Sequence, residues 1–231
     1  MQVDFKAREI TIKLVYYGPA LSGKTTNLQS LHRLVSQDQR TRLMTLETRD
    51  DRTLFFDMLP VTFKSGDLSL RLKVFTVPGQ VIHNATRRLV LQGTDGIAFI
   101  ADSQINETKN NAESFVNLKQ NLREQGVEIK QMPVVIQFNK RDMPDIRSDA
   151  ELAELAARGR EPVFRAVAVR DEGVGETFVG LLKRVLAHLD DSADLSRKFN
   201  ISSEALLEEV CTRLHIPSVI TPESVLGTGA P

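Results

Sequence analysis

REITIKLVYYGPALSGKTTNLQSLHRLVS, residues 8–36, decides the fold. Its first ten residues are β-branched and aromatic in character and read as a strand. After the glycine and proline, Leu28, Leu31 and Val35 recur at helical spacing. Between the two, Gly18-Pro-Ala-Leu-Ser-Gly23-Lys24-Thr25 satisfies G-x-x-x-x-G-K-[ST] at every fixed position, in the strand-to-helix context that motif requires. The glycines let the backbone curl so that successive N–H groups point inward and cradle phosphates. Lys24 supplies a point charge to the β- and γ-phosphates, Thr25 offers its hydroxyl to Mg²⁺, and the helix N-terminus adds partial positive charge. Gly18, Leu21, Ser22, Gly23, Lys24, Thr25 and Thr26 are therefore the expected phosphate-side contacts.

Working outward, apolar runs and helical patterns alternate along the chain. LSLRLKVFTV (68–77) alternates cleanly, and Ser65-Gly66-Asp67 before it predicts a hairpin with residues 59–64. Strand-like runs follow at 96–102, 133–139 and 162–169, with helix patterns at 107–125, 148–158 and 176–189. Short apolar runs separated by helices predict an α/β, doubly wound, mostly parallel sheet with helices on both faces, the architecture of a P-loop NTPase. Its ligand is expected beyond the carboxyl ends of the strands.

This domain is expected over residues 1–189, with 190–231 as a C-terminal extension. Within the extension, 190–200 reads as a polar connector and 202–215 as a short amphipathic helix carrying Leu206, Leu207, Val210 and Leu214. The end, with Pro222, Gly227, Gly229 and Pro231, reads as disordered. The stripe of the short helix needs something to bury against, either this domain's own surface or a partner's groove.

Thirty Lys+Arg balance thirty Asp+Glu in the 231 residues, so no global field points to nucleic acid or anionic lipid. The single cysteine, Cys211, excludes an internal disulfide framework and is expected to pack in the helix stripe. No apolar run is long enough to span a membrane, no secretory h-region or lipid anchor is visible, and a cytoplasmic location is expected. His32 and His83 have no companions at ligand spacing and read as solvated or capping residues.

Two further elements bear on the ligand. Asn139-Lys140-Arg141-Asp142 follows the strand PVVIQF. A carboxylate there can accept both N1–H and N2–H of guanine, donors that adenine lacks. Asn139 can tie this loop to the phosphate loop, and the Lys140 stem can lie along the base. Thr76-Val-Pro-Gly79-Gln80 ends the alternating strand, where Gly79 N–H can meet a γ-phosphate and Gln80 can orient an attacking water.

In this order the three elements resemble the Ras-like small GTPases across residues 1–189. YYGPALSGKTTNL, Asp51-Arg52-Thr53-Leu54-Phe55-Phe56-Asp57, TVPGQ and NATRRLVLQGTDGIAFIADS resemble more closely the bacterial gliding-motility MglA family. The resemblance implies a polarity switch cycling between GTP and GDP with Mg²⁺, a dimeric roadblock-fold activating partner like MglB, and downstream polarity or motility effectors. It implies that Thr53 joins Thr25 on the metal and that Gln80 positions water. It also implies that Arg52 is an arginine carried in the protein's own switch loop, and that Val167 and Ala168 lie in the loop whose N–H meets the guanine oxygen. From the residues alone, Arg52 in TRDDR (48–52) reads sooner as part of a charged surface loop, and it is the resemblance that reverses this. Phe55, Phe56, Met58 and Leu59 are either a partner-sensitive surface or hairpin core.

Beside the extension 190–231, which runs on past the domain, two departures within the domain matter. Thr76 stands where most Ras-like proteins have an aspartate, which predicts weaker hold on the metal through its outer contacts. Arg165 stands where an acid is usual, which leaves the support of the base loop open. Hydrolysis in such a site is positioning and charge stabilisation, with Lys24, Gln80 and Arg52 in the catalytic roles. A guanine-nucleotide-binding scaffold with negligible turnover is the alternative. A P-loop kinase would leave NKRD and TVPGQ without a use.

Overall fold

The strand Glu9–Tyr17 buries Ile10, Ile12, Leu14 and Tyr16 on one side and Val15 and Tyr17 on the other. Such a strand needs a covering layer on each face. The computed structural model describes residues 1–35, 42–46, 56–199, 202–216 and 225–226. Within them the strands are β1 (Gln2–Asp4), β2 (Glu9–Tyr17), β3 (Met44–Leu46), β4 (Phe56–Ser65), β5 (Leu68–Thr76), β6 (Gly96–Asp102), β7 (Val134–Asn139), β8 (Val163–Arg165) and β9 (Val225–Leu226). The helices are α1 (Lys24–Val35), α2 (Asn84–Leu91), α3 (Thr108–Arg123), α4 (Asp149–Arg158), α5 (Val174–Ala193), α6 (Leu195–Phe199) and α7 (Ser203–Leu214).

One sheet runs β3-β4-β5-β2-β6-β7-β8-β9, with β1 paired antiparallel to the start of β2. The centre, β5-β2-β6-β7-β8, is parallel, and β3, β4 and β9 are antiparallel to their neighbours. A core of β2, β4 and β5 side chains packs against α1, α5 and α7 on one face. On the other face Val90 and Leu91 of α2, Leu118 and Leu122 of α3, and Leu152 and Ala156 of α4 close the second layer. The parallel strands all end at one edge, and the loops after β2, β5, β7 and β8 gather there. That is where the doubly wound arrangement places a ligand.

Two expectations differ. The run 162–169 forms only a three-residue strand, because Ala168 N–H is drawn to the side chain of Asn139 at 3.0 Å and a short 3-10 turn begins. The stretch read as a polar connector is largely helical. There α5 continues to Ala193, and α6 follows because Phe199 is buried, stacked on Phe5 with ring centroids 5.5 Å apart. Arg8 Nη2 also donates to the Phe199 carbonyl at 3.0 Å. The α2 helix went unread because two of its four inward residues, Thr86 and Arg87, are polar and hide the apolar period.

Of the two homes open to the tail stripe, α7 takes the domain's own surface. Ser202 Oγ accepts the Ala205 N–H at 3.1 Å and caps the helix. Leu206, Leu207, Val210, Cys211 and Leu214 are all buried against α5, β4 and α1. Burial pushes the Cys211 thiol above its ordinary range, with Glu208 adding to it, so this cysteine is packed and not reactive. The end read as disordered is corrected in part, since Val225 and Leu226 form β9 and pair antiparallel with Phe164 and Val163 of β8; Pro222, Gly227, Gly229 and Pro231 lie outside the described residues.

Leu206→Ala is expected to destabilise the whole chain by about 2–4 kcal/mol in urea unfolding. Amide exchange across 206–214 is expected to be slow; exchange within seconds, or no loss of stability, would mean that α7 does not belong to the core.

Candidate nucleotide-binding site

The loop between β2 and α1 is set by two glycines in left-handed or strongly positive φ. A Cβ at Gly18 (φ +154°) would sit 2.2 Å from the Ile100 carbonyl oxygen, and one at Gly23 (φ +92°) 2.2 Å from Asn139 Nδ2. No side chain fits at either place. Lys24, at the start of α1, is only 7% exposed, and its ammonium donates to the Pro19 carbonyl at 2.5 Å. Burial first, and the Arg87 guanidinium second, push its pKa down from 10.5 to about 7. The Ser22 hydroxyl is buried with no partner among the described residues. A buried cation with no ion pair among the described residues, an orphaned hydroxyl and a glycine-shaped cradle fit a polyphosphate. The cleft beside them is about 500 Å³ and is lined by Leu21, Gly23, Lys24, Thr25, Thr26, Asp57, Thr76, Gly79 and Gln80, among others.

The loops after β7 and β8 meet this cradle through one side chain. Asn139 Nδ2 donates to the Ser22 carbonyl at 2.9 Å, and its Oδ1 accepts the Ala168 N–H at 3.0 Å. Asn139 thus fixes the phosphate loop to the base loop, and the Ala168 N–H braces that joint in this arrangement. Val167 is buried beside it, with its N–H on the Glu172 carbonyl. Lys140 has a left-handed φ of 64°, and its ammonium pairs with Asp102 at 2.6 Å. Asp142 is exposed at the end of this loop. Arg165 Nη1 meets Asp149 at 2.6 Å, and Arg141 Nη2 meets the other oxygen of the same carboxylate at 2.9 Å. The acid missing from position 165 is therefore supplied from the first turn of α4.

A second missing acid is also supplied from elsewhere. Thr76 is neutral, but the β4–β5 pairing lays Asp57 beside it, and Asp57 N–H donates to Thr76 Oγ1 at 2.9 Å. The Asp57 carboxylate, 9% exposed, accepts the hydroxyls of Thr25 at 2.7 Å, Thr45 at 3.0 Å and Thr76 at 3.3 Å. A carboxylate thus stands one strand away from the neutral Thr76. Oxygen ligands of this kind suit Mg²⁺, which binds through few carboxylates together with substrate phosphates. Sequence reasoning missed Asp57 as a site residue, although it falls in phase with the buried Leu59, Val61 and Phe63 of β4, where an acid needs a reason.

Gly79 and Gln80 border the cleft, Gln80 exposed at its mouth. Arg52 and Thr53 lie outside the described residues, as does Phe55. Of the other three hairpin residues, Leu59 is core, while Phe56 and Met58 are half-buried, Phe56 against Phe75 with ring centroids 6.1 Å apart.

The fold and this cleft define a P-loop nucleotide-binding domain of the small-GTPase type. A model of the ADP-ribosylation factor family matches residues 2–185. The mutual gliding-motility protein MglA of Myxococcus xanthus (strain DK1622) is 43% identical over 188 residues, 81% of this chain and 96% of that protein. The chain belongs to the Ras-like small GTPases, as an MglA-like member. It is accordingly a guanine-nucleotide-binding protein with the GTP-hydrolysing activity and Mg²⁺ use general to that family. Among the described residues no helix is long and apolar enough to cross a membrane.

The depressed Lys24 pKa has a measurable consequence. With a value of about 7 in the free cleft, Lys24 is mostly neutral at pH 8 and becomes charged when phosphate arrives. Binding of Mg²⁺-GDP at pH 8 is expected to take up roughly 0.9 proton, and much less at pH 6. Affinity should correspondingly fall as pH rises through 7. Calorimetry in buffers of different ionisation enthalpy checks this; identical heats at pH 8 would exclude it.

Proposed function

We propose that the chain is a GTP-operated switch controlling cell polarity or motility, whose turnover is slow alone and is raised by a dimeric roadblock-fold partner like MglB. The observation that carries the chemistry is the convergence of Lys24, Thr25, Asp57, Gly79 and Gln80 on one cleft. The motility role is supported by the name of the Myxococcus relative and the length of the match.

In this reading Asp142 selects guanine, and Gly18 to Thr26 hold the phosphates. Thr25 and Thr53 hold Mg²⁺ with Asp57 behind Thr25, and the metal when bound supplies positive charge to the phosphate oxygens. Gln80 orients the water whose oxygen bonds to the γ-phosphorus as the bond to the β-γ bridging oxygen breaks. GDP departs with the electron pair of the broken bond, and the proton lost by the water ends on the phosphate product or in solvent. Lys24 holds charge on the phosphates throughout, and Arg52 meets the charge that grows on the bridge in the transition state. The roadblock partner is expected to engage the segment running into β4, where Phe56 and Met58 are only half-buried, and to bring Arg52 and Gln80 into register. Effectors of polarity or motility would read the same segment.

Single-turnover hydrolysis with and without a roadblock protein tests the switch. Arg52→Ala should slow the stimulated rate by about 10³-fold or more while GDP affinity stays nearly intact, and Gln80→Leu should act in the same direction. No stimulation by a roadblock partner, or full stimulation of Arg52→Ala, would count against the proposal.

The metal assignment has its own check in nucleotide release. Asp57→Asn should raise the free Mg²⁺ needed to retain a fluorescent GDP by about 10- to 100-fold, the usual scale for an outer ligand contact. Moving the carboxylate back, in Asp57→Thr with Thr76→Asp, should recover part of that loss. Unchanged Mg²⁺ dependence in Asp57→Asn would remove Asp57 from the metal site.

A further inference from the structure

Arg87, in α2, is a residue that the chemistry above does not use. It is 1% exposed, yet its hydrogen-bond partners among the described residues are all neutral oxygens. Nε donates to the Pro78 carbonyl at 2.8 Å, Nη1 to Asn117 Oδ1 at 2.7 Å, and Nη2 to the Gly79 carbonyl. The guanidinium also lies over the Tyr17 ring, 5.4 Å from its centroid. A buried cation without a counter-ion is costly, and an apolar residue would fill the same space more cheaply. The planar fork is thus placed where its geometry is used.

That geometry acts on two successive peptide groups. In a trans peptide the carbonyl of one residue and the N–H of the next point in opposite directions, and no cis bond occurs among the described residues. Holding the Pro78 and Gly79 carbonyls on the α2 side therefore turns the N–H groups of Gly79 and Gln80 away from α2. Both residues line the cleft with Lys24 and Thr25. Neither N–H donates to a protein acceptor among the described residues. Gly79 is pressed on the phosphate loop, since an added Cβ would come within 2.3 Å of Ala20 Cα. No side chain fits at Gly79, so the backbone there lies directly against the phosphate loop.

We propose that Arg87 is a positioning residue that holds the Gly79 and Gln80 amides toward the terminal phosphate of a bound nucleoside triphosphate. The pair makes a small anion-receiving nest that a diphosphate does not reach. Asn117 keeps the fork in place: its Oδ1 also accepts Tyr17 Oη at 2.5 Å, and its Nδ2 donates to Asn84 at 3.1 Å.

The inference rests on the cleft being a guanine-nucleotide site, and the test separates the two. Affinities of the full chain for GDP and for a non-hydrolysable GTP analogue, both with Mg²⁺, would be measured for wild type, Arg87→Lys and Arg87→Gln. Lysine keeps the charge and loses the fork, so it isolates positioning. Both variants should lose about 10- to 100-fold in affinity for the analogue, the worth of a charge-assisted hydrogen bond or two, while GDP affinity changes by less than about threefold. Equal losses for both nucleotides would show a merely structural arginine and overturn the proposal, as would no loss at all. Wild-type protein that binds neither nucleotide would instead overturn the reading of the cleft. Should the variants not fold, amide resonances of wild-type Gly79 and Gln80 decide. They should shift and become protected from exchange when the analogue replaces GDP, and unmoved resonances would overturn the proposal.

Discussion

Lys24, in the cleft, and Arg87, behind its Pro78–Gly79 wall, are two buried cations with no ion pair among the described residues. Folding them this way works against stability, because each loses water without gaining an ion partner among the described residues. The surrounding structure supplies what compensation there is in carbonyl oxygens, from Pro19 for the lysine and from Pro78 and Gly79 for the arginine. These are weak substitutes for an anion. Asp57 lines the same cleft but is engaged by the hydroxyls of Thr25, Thr45 and Thr76, so the cations keep an electrostatic demand that a phosphate chain satisfies. The chain as a whole is formally neutral, so this demand comes from placement and not from net charge.

A demand of that kind is useful only if the loops around it hold still. The parallel strands deliver the loops to one edge, and a polar strut through the core fixes their spacing. Gln137, buried in the middle of β7, donates to Asn27 of α1 and to Thr177 of α5, each at 2.9 Å. Asn27 in turn donates to the Gly23 carbonyl at 3.0 Å, and Thr177 to the Gly173 carbonyl at 2.7 Å. Phosphate loop and base loop are thereby tied to the same strand residue, below the direct tie through Asn139. A buried polar network of this sort is sensitive to any lost partner, which suits groups that must meet a nucleotide at both ends.

Much of this was legible in the sequence because it is written in local rules. Glycine spacing, strand alternation and the 3.6-residue period each depend on neighbours in the chain, and they located β2, the β4–β5 hairpin, α1 and α3 to α5 within a few residues. The phosphate loop and Asn139 were readable for the same reason. What stayed hidden depends on pairing between distant segments. Asp57 becomes meaningful only once β4 is laid beside Thr76, and Asp149 only once α4 meets Arg165. Arg87 broke the apolar period of its helix and concealed α2. Phe199 made a helix of a stretch whose composition is that of a linker, because a buried ring outweighs polar neighbours. Arg52 and Thr53 owe their place in the reading to resemblance alone.

The tail and the metal side of the cleft are linked by the two-residue period of β4. Asp57, Leu59, Val61 and Phe63 share one face of that strand, and all are buried. Farther along this face the core is closed by α1, α5 and α7, while at its upper end the carboxylate turns to Thr25 and Thr76. A slip of one residue would swing every one of these side chains to the opposite face. It would take the acid away from Thr25 in the same motion that carried the leucine, valine and phenylalanine out of the core. Apolar burial along the strand therefore sets the position of a charged group at its end. Because α7 contributes to that burial, a helix beyond the nucleotide-binding loops helps hold the carboxylate in register with them.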